Sequence, residues 1–281
     1  MTTHWKMATL LAMTALAAPV ALAQQEPRPC KFRDTRELNA PATQILHVKS
    51  GAGPVEIQGD PELEEFRVSA ILCASDQDLL DGLSVSLEGG RLETKYPLWR
   101  WRIFAGNRYA SISLGVRVPA ETGIALVDGS GSVRVSDVGR LTVDDGSGSL
   151  RITRARGDVR IEDGSGSLRI EDVTGDVHVN DGSGSLTIRD VAGSVTLEDG
   201  SGGAQVRGVT GNVVVTDDGS GGIEIEEVGG EVRVSDAGSG RVRVRDVEGG
   251  LTVTGVRRSR IDYDNVRGEV DLPPDRRRGR R

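Results

Sequence analysis

Six aspartates stand one position before a glycine-serine-glycine turn: Asp128, Asp145, Asp163, Asp181, Asp199 and Asp218. They follow one another at intervals of 17, 18, 18, 18 and 19 residues. A carboxylate placed there has two uses. It can accept hydrogen bonds from the turn amides that follow, as an Asx-turn does, and splay into water. Alternatively, stacked neighbours can share a cation, with calcium the natural candidate and Asp145, Asp163, Asp181 and Asp199 the ligands. Secreted β-rolls of the Gly-Gly-x-Gly-x-Asp-x-φ-x type hold calcium in their turns. Here the matching stretch reads Gly164-Ser165-Gly166-Ser167-Leu168-Arg169-Ile170, so Leu168 fills the ligand slot. One carboxylate per repeat is few for calcium. Turn capping is therefore the expectation, and no other cofactor is implied.

A second constellation is aromatic. Tyr96, Trp99, Trp101, Phe104 and Tyr109 fall within 14 residues, interleaved with Arg100, Arg102 and Arg108. Beyond residue 23 the chain has only Phe32, Phe66 and Tyr263 besides. Rings beside guanidinium groups suit a contact surface for a glycan or a protein. The same rings could instead cap the fold and hide a sheet edge.

Catalytic chemistry finds little to work with. Past the first 23 residues the histidines are His47 and His178, and His178 lies between Val177 and Val179 at an outward position. The many serines sit in turns with no histidine spaced to activate them. An enzyme acting on envelope polysaccharide is the most distant of the readings. An ice-binding face would need an unbroken threonine row, and the row Thr142, Arg160, His178, Thr196, Val214, Arg233, Thr252 is interrupted throughout.

Residues 1–23 read as a signal peptide: a weakly basic start, an apolar run from Met7 to Val20, then Ala21-Leu22-Ala23. Cleavage there leaves no further membrane-spanning run, and predicts an exported protein, periplasmic or extracellular. It also removes Lys6 and no acid, leaving 34 basic residues against 42 acidic ones, and no nucleic-acid partner is expected. In that compartment Cys30 and Cys73 are expected to form one disulfide, two buried thiols being the alternative. Residues 273–281 carry Arg276, Arg277, Arg278, Arg280 and Arg281, either a solvated end or a tether to phosphate-bearing polymers.

All these residues must be positioned by a repeat. Aromatics make up only 3% of the chain and glycine numbers 38, too little bulk for a thick core. Apolar pairs recur every nine residues: Leu168 and Ile170, Val177 and Val179, Leu186 and Ile188, Val195 and Leu197. Alternation that short, bounded by glycine and aspartate, predicts strands. Two strands and two corners make a coil of about 18 residues, and identical coils stack into a parallel β-solenoid with a right-handed winding expected. The second corner is Asp-Val-x-Gly, as at Asp172–Gly175 and Asp190–Gly193, whose valine should tuck inward as a fifth apolar residue. Regular coils are expected over 128–272. Residues 24–127 keep the beat, Leu83 preceding Leu92 by nine, and read as irregular early coils and a cap carrying the aromatic insertion. Ser75–Gly82 is read as a short helical turn.

The signal peptide, the irregular first half, the segment Val116-Arg117-Val118-Pro119-Ala120-Glu121-Thr122-Gly123-Ile124 and the following Gly-x-Val-x-Val coils together resemble the bacterial putative-adhesin family with β-strand repeats. The resemblance implies an all-β solenoid and no catalytic residues. Residues and resemblance together lead to an exported, non-enzymatic binding or scaffold module of the cell envelope. A calcium-stiffened rod without a specific ligand is the alternative.

Overall fold

The computed structural model describes residues 30–97 and 108–274. Alternation sets the element type in the repeats. In Val159–Asp163 the inward positions are Val159, Ile161 and Asp163, and the outward ones Arg160 and Glu162, the period-two pattern of a strand with one wet face. The chain turns at Gly164-Ser165 and continues as Gly166–Val173. A second corner returns it to Val177–Asp181, one coil further on. Val159 lies beside Val177, and Leu168 beside Leu186, in parallel register. About eight such turns form a β-solenoid, from Ile45–Lys49 at one end to Val270–Asp271 at the other.

Branched side chains from the two strands of each coil meet across one layer, and Val159, Ile161, Leu168 and Ile170 are all buried. The corner valines Val138, Val173, Val191, Val209, Val228 and Val247 are buried as well. They are the fifth apolar residue of their coils, and Ala155 takes that place in the coil between Val138 and Val173. Burying a side chain of this size stabilises by about 1.5–3 kcal/mol, and the same set recurs coil after coil.

The two corners solve different backbone problems. At the Asp-Val corner φ is positive in a non-glycine residue: 59° at Asp137, 56° at Arg154, 59° at Asp172 and 56° at Asp190, continuing through Glu227, Asp246 and Asn265. Asp and Asn enter the left-handed region more readily than most residues, which accounts for the acid in that motif. Arg154 is held there by a two-pronged ion pair to Asp137 one coil away, at 2.7 and 2.8 Å. At the Gly-Ser-Gly corner the second glycine is demanded by close approach. A Cβ on Gly184 would lie 1.8 Å from the Gly166 carbonyl oxygen.

The first part of the chain departs from simple coiling. Phe32–Pro41 pairs antiparallel with Glu65–Ala74, which pairs antiparallel with Ala110–Pro119. That third strand joins the stack through Val55–Asp60 in parallel. Cys30 and Cys73 are disulfide-bonded, with Cα atoms 5.5 Å apart, tying the outermost strand to its neighbour. The nine-residue step from Leu83 to Leu92 is not a coil. Ser84–Glu88 and Arg91–Lys95 form an antiparallel hairpin, because Gly89 and Gly90 take φ of 54° and 74°, the two-residue turn that reverses a strand. The helical turn is present as Gln77–Asp81, capped by Asp76, whose Oδ1 accepts from the Leu79 N–H at 3.1 Å. Among the described residues no helix is long and apolar enough to cross a membrane.

Candidate functional site

Strand parity places the six aspartates. Five of them follow the last inward hydrophobic residue by two, as Asp163 follows Ile161, so the side chain points into the solenoid. Asp218 follows Val215 by three and is brought inward by a register shift in its strand. All six are between 1% and 6% exposed. They stand in register: Asp128 beside Asp145, Asp145 beside Asp163, then Asp181, Asp199 and Asp218. The result is a column of carboxyls at the roughly 4.8 Å interval of stacked strands. The expected splay into water is therefore overturned, because the alternation that buries Ile161 also buries Asp163. The turn-capping part of that expectation holds for two of them. The Ser183 N–H donates to Asp181 Oδ1 at 3.0 Å, and the Ser201 N–H to Asp199 Oδ1 at 3.1 Å.

Both ends of the column are closed by residues the sequence reading did not single out. Ser50 occupies the aspartate's place in the first coil, and its hydroxyl donates to Asp128 Oδ1 at 2.5 Å. The signal was present, since Ser50-Gly51-Ala52-Gly53 copies the Asp-Gly-Ser-Gly pattern. At the other end Ala237 fills the place and is fully buried. Asp236 stays exposed there and accepts from the Gly238 N–H at 2.8 Å.

Between these ends every carboxyl keeps at least one oxygen without a partner. Asp128 Oδ2, Asp163 Oδ1, Asp181 Oδ2, Asp199 Oδ2 and both oxygens of Asp145 and Asp218 are buried without a hydrogen bond. Burial above all, with the neighbouring aspartates adding to it, pushes Asp145, Asp163, Asp181 and Asp218 up to about 6 from an ordinary 3.8. Asp128 and Asp199 are raised by burial too, and the Ser50 hydroxyl draws Asp128 part of the way back. The column fits a cation poorly. Each interval offers two carboxyls, and among the described residues no three of His, Cys, Asp or Glu converge on one point, whereas calcium takes about six to eight oxygens. A column of this kind is equipped to exchange protons.

Of the aromatic constellation, the described members are engaged in packing. Tyr96 donates from its hydroxyl to the Ala52 carbonyl at 2.7 Å and accepts from the Ala52 N–H at 3.0 Å, beside the turn that holds Ser50. The Tyr109 hydroxyl accepts from the Lys31 N–H at 3.1 Å, and Arg108 grips Asp76 at 2.6 and 2.8 Å, holding that carboxyl below its usual range. Trp99, Arg100, Trp101, Arg102 and Phe104 lie outside the described residues, as do residues 1–23, read from sequence as a signal peptide, and the arginines of 276–281. His47 is exposed and His178 is half-exposed, each on an outward-facing strand position.

A model of the Toastrack DUF4097 family matches residues 70–257. The chain belongs to that family. No curated protein matches it. Solved structures similar to this Toastrack chain include a putative adhesin from Parabacteroides merdae, 11% identical with a TM-score of 0.48, covering 87% of this chain and 97% of that one. A putative lipid binding protein from Parabacteroides distasonis is 18% identical with a TM-score of 0.47, covering 87% and 98%. A putative cell adhesion protein from Clostridium sporogenes is 10% identical with a TM-score of 0.24, covering 85% and 98%.

Proposed function

We propose that the chain is exported and serves as a non-enzymatic scaffold and binding module of the cell envelope. The observation that carries this reading is the disposition of its polar groups. Among the described residues the one column of convergent, perturbed carboxyls is sealed inside the coil stack. The outer faces carry rungs such as Arg245 with Glu226 and Arg243 with Glu224, paired from coil to coil. Such rungs offer a repeating polar surface, and no serine or carboxyl on them is paired with a histidine. The disulfide between Cys30 and Cys73 supports an oxidising compartment. The segment from Tyr96 to Tyr109, with Trp99, Arg100, Trp101, Arg102 and Phe104, is the proposed contact surface for an envelope glycan or protein.

Two measurements test the proposal. Fractionation of expressing cells should recover the disulfide-bonded chain outside the cytoplasm. Co-sedimentation with isolated envelope polysaccharide should retain the protein, and the double variant Trp99→Ala, Trp101→Ala should lose retention while melting unchanged. Recovery of a reduced chain in the cytoplasm would sink the export reading. Loss of stability in the double variant would make the segment a cap.

A further inference from the structure

We propose that the interior aspartate column is a proton-binding site, loaded in mildly acidic surroundings, so that the cohesion of the coil stack depends on pH. Three features of the fold carry the inference. Six carboxyls are stacked in register with no intervening residue, from Asp128 to Asp218. Each is nearly or wholly withdrawn from water. Each keeps at least one buried oxygen without a donor. A run of ionised carboxylates in that setting would combine desolvation with mutual repulsion, and a buried acid in such a place neutralises itself by holding a proton. Protonation also supplies the missing chemistry. A carboxylic acid carries an O–H donor, and the carboxylate one coil away is the acceptor facing it.

The groups around the column do not offer another remedy. Ser50 gives its hydroxyl to Asp128, and Tyr96 lies near the same carboxyl. Asp144 stands beside Asp145, and Asp217 and Asp236 beside Asp218, all adding negative charge. The turn amides of Ser183 and Ser201 each satisfy a single oxygen, and those of Gly129, Ser147, Gly164 and Ser165 draw Asp128, Asp145 and Asp163 only part of the way back. Across the core the facing residues of the second strand, such as Leu168 and Ile170, are apolar. No basic side chain is among the described groups that shift these carboxyls. Ala237 ends the column with a methyl group, so the last carboxyl, Asp218, has no donor on either side.

The direction of the pH effect follows from where the protons are held. Folded carboxyls at about 6 retain protons that an unfolded chain, titrating near 4, has already released. Stability is therefore fully present below about pH 4 as far as these groups are concerned, and is lost as pH rises through 6. Each retained proton changes the folding equilibrium tenfold per pH unit.

The test is urea unfolding of the full chain between pH 8 and pH 5, in parallel with carboxyl-carbon NMR titration of aspartate-labelled protein. The unfolding constant in water should fall at least a hundredfold from pH 8 to pH 5, corresponding to two or more retained protons. Buried carboxyls should titrate near 6. The double variant Asp163→Asn, Asp181→Asn keeps an acceptor for the turn amide and adds a permanent donor, so it should gain stability at pH 8 and show a shallower pH slope. Calcium and a chelator should leave the wild-type midpoint at pH 8 unmoved. Titration of all aspartates near 4, or a stability that does not change between pH 8 and pH 5, overturns the proposal. So does a calcium-induced rise at pH 8 that a chelator reverses, which would make the column a cation site. If the double variant does not fold, the wild-type titration decides alone.

Discussion

Replacing Ser50 by alanine removes one hydroxyl from the end of the column and should expose the character of everything stacked behind it. The Ser50 hydroxyl lies 2.5 Å from Asp128 Oδ1, and Asp128 is 3% exposed. The partner oxygen, Oδ2, is already without a donor. A hydrogen bond to a charged group contributes about 1.5–3 kcal/mol, and leaving a buried acceptor unpaired costs about as much. A loss of about 2–3 kcal/mol at pH 8 is therefore expected, with no change in the denaturant slope. The sign of its pH dependence is fixed by the same bond. Ser50 favours the ionised form of Asp128, so its removal lets the folded-state carboxyl rise further. The penalty should be largest where Asp128 is ionised and should shrink as pH falls and Asp128 takes up its own proton. Urea titrations of wild type and Ser50→Ala at pH 8 and pH 5 measure this directly. A penalty equal at both pH values, or none at pH 8, would refute the view that the hydroxyl stabilises a buried charge.

Ile170→Asp should unfold the stack or cost more than about 4 kcal/mol, since it puts an unpaired charge into a one-layer core, while Arg169→Asp on the outer face should cost far less; equal melting of the two variants would mean that the strand parity is wrong. Gly184→Ala should cost about 3 kcal/mol or more, because the new Cβ meets the Gly166 carbonyl oxygen in a backbone conformation that L residues avoid; a neutral melting curve would show that the corner can move. Arg108→Ala should raise the titration of Asp76 toward the ordinary range, and the stability contributed by that ion pair should be present above pH 4 and vanish as pH falls through the folded-state value; an unshifted Asp76 carbon resonance would contradict it.

The repeat was legible because each requirement of a coil is written locally. Leu168 and Ile170 mark a strand, the glycines of Gly164–Gly166 a tight corner, and Asp172-Val173 a left-handed residue followed by a buried one. The first hundred residues were less legible. Nothing local to Phe32–Pro41 names Glu65–Ala74 as its antiparallel partner, since that pairing is decided by contacts across some thirty residues and a disulfide. The hairpin at Gly89-Gly90 was legible in principle, but the nine-residue spacing of Leu83 and Leu92 imitated the coil beat. The aspartates are the instructive error. Val159-x-Ile161-x-Asp163 states by parity that the acid points inward. The general tendency of charged residues to stay outside outweighed that statement, although the tendency concerns ionised groups and the parity concerns geometry.

Repetition explains why such a column can persist at all. In an ordinary domain one buried acid without a partner is an isolated defect, and its neutralisation concerns one proton. In a solenoid every position becomes a row, so a residue chosen at one corner meets its own copies above and below. Outside, this is turned to advantage: Arg154 answers Asp137 at the Asp-Val corner, and Glu and Arg alternate along the outer strand faces. Inside, the copies are all acids, and no described neighbour supplies the opposite charge. A single proton placed between two such carboxyls relieves both, because it removes one charge and gives the other a donor. Losing it restores two problems at once. The column should therefore take up protons in a coupled fashion, its apparent values belonging to the row and not to any one aspartate. Shortening the row from either end, at Asp128 or at Asp218, should then shift the titration of the aspartates that remain.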